Sequence, residues 1–212
     1  AEMRSHGIAF GKPKIDINKL RDWKSSVAGK LTAGLKGLAQ QRKVETVQGV
    51  GRFVSPHVLE VDRNGKLERI AFEQCVIAAG SEAIRLPFLP DDPRVIDSTG
   101  ALELQELPKR MLVLGGGIIG LEMGCVYAAL GVQVSVAELT PQLMPGCDPD
   151  LVKPLNKRLQ SRFEKIQLDT KVVAVTASKA GLKVRFEAKD GSTSEESYDR
   201  VLCAVGRAPN GK

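Results

Sequence analysis

Apolar positions along this chain follow two periods, and the change from one to the other outlines its elements. Between residues 16 and 43, Leu20, Trp23, Val27, Leu31, Leu35 and Leu38 recur at intervals of three and four. That is one apolar face of a helix, with Asp16 or Asn18 placed to cap its start. Gly29, Gly34 and Gly37 weaken such a helix or allow a close neighbour. Apolar residues then bunch or alternate, as strands do. Residues 44–50 predict a strand, and 58–61 and 66–72 flank Asn64 and Gly65 as a hairpin. Residues 75–79 predict a short buried strand that ends at Gly80 and Ser81.

Four prolines, Pro87, Pro90, Pro93 and Pro108, punctuate the next stretch, which reads as a connection between domains. An unbroken apolar run over 111–114 follows, then a glycine-rich turn. Helical spacing resumes with Ile118, Ile119, Leu121, Met123, Val126, Tyr127 and Leu130, and Gly131 stops it. A second apolar run, 132–137, ends at Glu138. Beyond a loop over 141–149, residues 150–165 predict a helix. Residues 171–176, 182–188 and 198–205 predict strands, with a turn at Lys189, Asp190 and Gly191. Residues 1–12 carry no element signature, and no repeat of fixed period is evident.

The turn between the first apolar run and its helix reads Gly115-x-Gly117-x-x-Gly120. Alone, this spacing would also serve a plain strand-to-helix connection. Here strand, glycine turn, helix, strand and acid come in the order of a dinucleotide-binding half. Gly115 permits the tight turn, Gly117 lets backbone approach a pyrophosphate, and Gly120 lets helix and strand pack closely. The helix N-terminus offers free N–H groups and positive dipole to phosphates. Glu138 stands roughly 20 residues past the glycines, where an acid that binds a ribose hydroxyl belongs. A carboxylate accepts from the 2′-hydroxyl of NAD and repels the 2′-phosphate of NADP. Residues 139–143 supply no arginine to reverse that preference. The expected fold class is α/β, a Rossmann-type domain for NAD.

Composition bounds the remaining readings. The 212 residues could hold one large domain or two small ones. A hydrophobic share of 42% and a charged share of 26% describe a globular chain. The net charge of +6 raises a nucleic-acid partner, but basic residues are interspersed with acids and aromatics reach only 4%, which argues against one. No apolar stretch has membrane-spanning length. Cys75, Cys125, Cys147 and Cys203 have no close spacing, so neither a metal site nor a disulfide framework is expected. Cys75, Cys125 and Cys203 sit in or beside apolar runs as small hydrophobes, and Cys147 in a polar turn. A reducing, cytoplasmic compartment is the default. His6 and His57 are expected at the surface rather than as bases.

Several stretches together carry a family resemblance. They are residues 115–124, 76–81, 86–90, Asp97 to Thr99, and 205–210 with Val205, Gly206, Arg207, Ala208, Pro209 and Asn210. The chain resembles the bacterial dihydrolipoamide dehydrogenases, flavoproteins of the disulfide oxidoreductase class, over essentially its whole length. Glutathione and mercuric reductases share the individual motifs. The wording Gly117, Ile118, Ile119, Gly120, Leu121, Glu122, together with Glu138, is more similar to lipoamide dehydrogenase. The resemblance implies an NAD-binding Rossmann domain over 81–205, joined to part of an FAD-binding domain over 1–80. Residues 206–212 would return toward FAD-side structure.

By matched position, Gly115, Gly116, Gly117, Ile118, Ile119 and Gly120 resemble the pyrophosphate turn for NAD. Glu122 resembles the acid close to nicotinamide and flavin, though an ordinary helix glutamate looks the same. Val172 resembles the start of the adenine-side strand, though a core valine looks the same. Gly206 resembles a glycine turn near the nicotinamide. On the FAD side, Gly51 resembles a backbone contact to adenine. Ala79, Gly80 and Ser81 resemble a turn in which Ala79 replaces a threonine, so backbone contacts survive and a hydroxyl contact does not.

The family's first glycine motif, its Cys-x4-Cys disulfide and its His-Glu pair have no counterpart among these residues. The chain is therefore expected to be a fragment, inactive alone, with no catalytic residue of its own. The implied parent oxidises protein-bound dihydrolipoyl groups and reduces NAD through FAD. Its implied partners are the lipoyl domains of a 2-oxo acid dehydrogenase complex and a second copy of itself. The alternatives are another FAD-dependent NAD(P) oxidoreductase, such as a soluble transhydrogenase or mercuric reductase, or a nucleotide-binding module without turnover.

Overall fold

The computed structural model describes residues 6–9, 11 and 13–211. Of the residues without an element signature, 1–5, 10 and 12 lie outside the described set. The chain divides into two compact units, Asn18–Ala79 and Ala1–Ile17 with Gly80–Lys212.

The Asn18–Ala79 unit opens with α1 (Ile17–Gln41), whose apolar face is realised but left exposed. Three strands follow as an antiparallel meander: β1 (Val50–Ser55), β2 (Val58–Arg63) and β3 (Lys66–Ala71). The expected hairpin is there. Arg63 pairs with Lys66, and Asn64 and Gly65 between them both adopt positive φ, at 57° and 88°. This is the backbone that a two-residue turn between right-twisted strands needs. Two expectations fail. Residues 44–49 are not a strand: the chain leaves α1 through Lys43, and pairing starts at Val50. Residues 75–79 are neither strand nor buried; Val76 is 91% exposed, Cys75 is exposed too, and no described strand pairs with them. An apolar run becomes a strand only where another edge takes up its backbone groups.

The second unit is built on a parallel sheet. In chain order its elements are β4 (Ser81–Ala83), β5 (Val95–Ile96), α2 (Ser98–Glu103), β6 (Arg110–Leu114), α3 (Ile118–Ala129), β7 (Gln133–Ala137) and α4 (Pro149–Gln160). Then come β8 (Lys165–Gln167), β9 (Thr170–Ser178), β10 (Gly181–Ala188), β11 (Thr193–Tyr198), β12 (Arg200–Cys203) and β13 (Arg207–Pro209). Five strands pair in parallel in the order β5-β12-β6-β7-β8. β9, β10 and β11 form a separate antiparallel sheet, and β4 pairs with β13.

The parallel sheet is covered on both faces, which is why its strands read as continuous apolar runs. Met111, Val113, Val134 and Val136 pack with Leu121 and Tyr127 of α3 and Val152 and Leu159 of α4. Their neighbours in sequence, Leu112, Leu114 and Ala137, pack the other way, against Leu182, Val184 and Phe186 of β10. In β10 those inward residues alternate with outward Lys183, Arg185 and Glu187, the pattern of a sheet with one wet face. The proline-rich stretch is not a connection between domains. Asp97 accepts from Gly100 N–H at 2.9 Å to start α2, and β5 joins the sheet edge beside β12. The helix expected over 150–165 ends at Gln160; a turn follows that sends Phe163 into the core, and Lys165 begins β8. Its apolar period ran on because Phe163 is buried by the turn rather than by the helix.

Candidate functional site

β6 lies between β7, reached through α3, and β12, reached from the other side of the sheet. The chain thus leaves the middle of the sheet in both directions, and ligands of open α/β sheets lie beyond the strand ends at such a reversal. A cleft of about 690 Å³ opens there, at the carboxyl ends of β6, β7 and β12. That volume suits a small-molecule cofactor.

The glycine turn forms one wall. Gly115 has φ of +101°, donates to Ala137 O at 2.9 Å, and abuts the end of β12, so a Cβ on it would stand 2.6 Å from Ala204 O. Gly120 is buried, and a Cβ there would collide with Gly115 O and press on Val113. Gly116 is closed in by Leu143 and Glu138. Gly117 differs. It begins α3 with no side-chain cap, and a Cβ on it would meet nothing within 4 Å. Three glycines therefore close the turn onto the protein, and the fourth leaves space in front of unsatisfied helix N–H groups. Ile118 and Ile119 line the same opening.

Glu138 faces this turn from the end of β7. It is 6% exposed, and its Oε2 accepts from Gly116 N–H at 2.6 Å. Its Oε1 accepts from Thr140 N–H and Thr140 Oγ1, both at 2.8 Å. Its backbone is stitched to the next strands: Glu138 N–H donates to Gln167 O at 2.8 Å, and Thr170 N–H to Glu138 O at 3.0 Å. Val172, at 9% exposed, belongs to the core shared with β10 and also reaches the cleft. At the other end, Val205 and Gly206 line it, beside Leu86 and Phe88. Lys171 and Arg207 are its cations. Arg207 is held by Ser81 Oγ at 2.8 Å, by Ser98 Oγ at 3.3 Å and by Ser81 O.

The expected NAD residues thus assemble around one opening, apart from Glu122, which is exposed on α3 and does not line the cleft. Gly116 and Gly120 shape the turn from behind. The expected FAD residues do not gather in one unit. Gly51 and Ala79 belong to Asn18–Ala79, while Gly80 and Ser81 belong to the second unit. Gly51 pairs with Val61 within the meander, and Gly80 adopts φ of +71°. Sequence reasoning missed Thr140, Leu86, Phe88 and Lys171 as parts of the cleft. A hydroxyl two residues past the acid was the available signal for Thr140. Cys203 is buried and donates to Ile84 O at 3.4 Å, and burial pushes its thiol up. Among the described residues no group of histidines, cysteines and acids is placed to hold a metal, and no helix is long and apolar enough to cross a membrane.

The chain matches the pyridine nucleotide-disulphide oxidoreductase family over residues 4–212, and it belongs to that family. It is 48% identical over 211 residues to the dihydrolipoyl dehydrogenase of Vibrio parahaemolyticus, which covers 99% of this chain and 44% of that one. The dihydrolipoyl dehydrogenase of Haemophilus influenzae is 46% identical over 209 residues, covering 98% and 43%. The fold is similar to that of a HOCl-induced flavoprotein disulfide reductase of Escherichia coli, RclA, solved as its Cu(II) complex. The TM-score is 0.78 at 26% identity, over 91% of this chain and 43% of that one. The chain spans about 44% of the length of the Vibrio relative.

Proposed function

We propose that the cleft between the glycine turn and Glu138 binds NAD in preference to NADP. The observation that carries this is the pairing of an open Gly117 with a pinned, buried carboxylate across the head of α3. Gly117, Ile118 and Ile119 line the cleft at the head of α3, where the first N–H groups of a helix lack intrahelical partners and the helix dipole is positive, which suits a pyrophosphate. Glu138 supplies an acceptor for ribose hydroxyls and disfavours a phosphate in their place. Leu86, Phe88 and Val172 give the cleft apolar walls. Glu122 belongs to this reading as an acid near the nicotinamide end, and Gly206 as backbone there. Residues 81–205 are the NAD domain in this reading, with 1–80 a partial FAD domain and 206–212 the return toward it. Gly51, Ala79, Gly80 and Ser81 contribute backbone contacts to FAD.

For the whole protein we propose oxidation of protein-bound dihydrolipoyl groups to the cyclic disulfide, with two electrons passed to NAD. When bound, FAD supplies the two-electron relay and NAD the hydride acceptor. The names of the relatives put this ahead of a transhydrogenase or mercuric reductase. Lipoyl domains of a 2-oxo acid dehydrogenase complex, a second copy of the chain, and the cytoplasm complete the proposal.

Calorimetric titration of the 212-residue chain with NADH and NADPH tests the site. The expected result is tighter binding of NADH. Equal curves overturn the preference, and no heat with either overturns the site. A diaphorase assay with added FAD separates module from enzyme: no turnover is expected from this chain alone.

A further inference from the structure

We infer that Thr140 is a positioning residue for cofactor choice, acting by holding the Glu138 carboxylate in one orientation. The inference rests on the NAD reading of the cleft and deepens it. A carboxylate offers about four acceptor positions, two on each oxygen. Three of those on Glu138 are met by the protein, from Gly116 N–H, Thr140 N–H and Thr140 Oγ1. The two backbone donors are fixed by the turn and by the loop after β7. The hydroxyl is not fixed. Thr140 Oγ1 lies 2.8 Å from Glu138 Oε1 and also 2.8 Å from Gln142 O, and it has one proton for the two.

The proton belongs on the carboxylate, because a bond to an ionised acceptor is the stronger of the two. It holds the Glu138 side chain, which lines the cleft, in one orientation. One acceptor position, on Oε2, is left for a ribose 2′-hydroxyl. Thr140 thus orients the carboxylate before the ribose arrives and keeps it so afterwards. A 2′-phosphate has no hydroxyl to donate to that position, so this arrangement serves NAD and not NADP.

The test is calorimetric titration of the unmodified chain, Thr140→Val and Thr140→Ser with NADH and with NADPH, beside a thermal melt of each. Valine keeps the shape and the backbone N–H and removes only the hydroxyl. The expected result is a weakening of NADH binding by about three- to tenfold, the net value of one hydrogen bond, with NADPH binding unchanged and the melt lowered by at most a few degrees. Thr140→Ser restores NADH affinity. Equal NADH affinity in the unmodified chain and Thr140→Val overturns the inference and leaves the NAD site standing. A parallel loss for both nucleotides with a lowered melt assigns Thr140 to structure alone and also overturns it. Failure of the unmodified chain to bind NADH removes the NAD reading and the role of Thr140 with it.

Discussion

A Cβ on Gly115 would stand 2.6 Å from the carbonyl oxygen of Ala204, so the glycine turn closes directly onto the strand end across from it. Gly115 also holds φ of +101°, a backbone that side chains disfavour. Both conditions act on Gly115→Ala. The variant is expected to lose about 2–4 kcal/mol of stability, from overpacking and backbone strain together, and to lose NADH binding with it. Urea unfolding and calorimetry on the same preparation check this. A variant as stable as its parent would mean that the turn shifts freely.

Gly117→Val should separate the two effects. Its φ is −79°, and its Cβ points into open space, so nothing in the fold resists the change. A helix-cap cost of no more than about 1 kcal/mol is expected. The valine methyls would occupy the space proposed for pyrophosphate. NADH binding should vanish while circular dichroism stays native. Native structure with undiminished binding would sink the phosphate-cradle reading.

Glu138→Ala should narrow the preference for NADH over NADPH, chiefly by weakening NADH. It should also destabilise, because Gly116 N–H and the Thr140 donors lose their acceptor in a buried place. An orphaned buried donor costs about 1–3 kcal/mol. Glu138→Gln retains an acceptor at one position and should lose less stability. A nucleotide preference unchanged in Glu138→Ala would remove the carboxylate from cofactor choice.

How far these features could be read from sequence depended on whether the burial was local. The β6–α3–β7 unit was legible because both faces of its strands are covered within the chain, which leaves apolar runs with glycines at the joint. Residues 44–49 and 75–79 carry similar apolar residues, but pairing decides a strand, and pairing partners are not written in the run itself. Glu138 was found by its spacing from the glycines. Thr140 was not, since its role depends on which way a carboxylate two residues back is turned. Leu86 and Phe88 were hidden in a proline-rich stretch whose spacing described turns, not the cleft wall they form.

The two tyrosines of the chain, Tyr127 and Tyr198, give an optical test of the core. Burial pushes Tyr198 up to about 12, with the neighbouring Glu196 carboxylate adding to it and Arg110 opposing. Burial likewise raises Tyr127, which donates to Ala101 O at 2.9 Å. The neutral phenols are favoured in the fold. Their contribution to stability is present below the ordinary value of 10 and is lost as pH rises through their raised folded values, about 12 for Tyr198. Phenolate absorbance of the folded chain should therefore stay low near pH 10 and rise there in denaturant. Ordinary titration of both rings in the folded chain would contradict the packing.

Arg110 ties the parallel sheet to β11. Its guanidinium sits 4.8 Å from the Tyr198 ring centre and donates to Ser197 O at 2.8 Å, Glu196 at 3.2 Å and Glu164 at 3.3 Å. Glu196 also accepts from Lys165 Nζ at 2.6 Å. Lys165 first, then Arg110, hold its carboxyl below the ordinary value of 4.5 against the opposing effect of burial. A lowered carboxyl contributes stability above its unfolded value and loses it as pH falls through the folded one. Arg110→Ala should cost about 1–2 kcal/mol at neutral pH, moderated because the pair is partly solvated. Below the ordinary carboxylate range Glu196 is protonated, so part of that difference should disappear. Melting curves of parent and variant across pH should run apart at neutrality and draw together in acid. Curves that stay parallel at every pH would assign the effect of Arg110 to packing on Tyr198 alone.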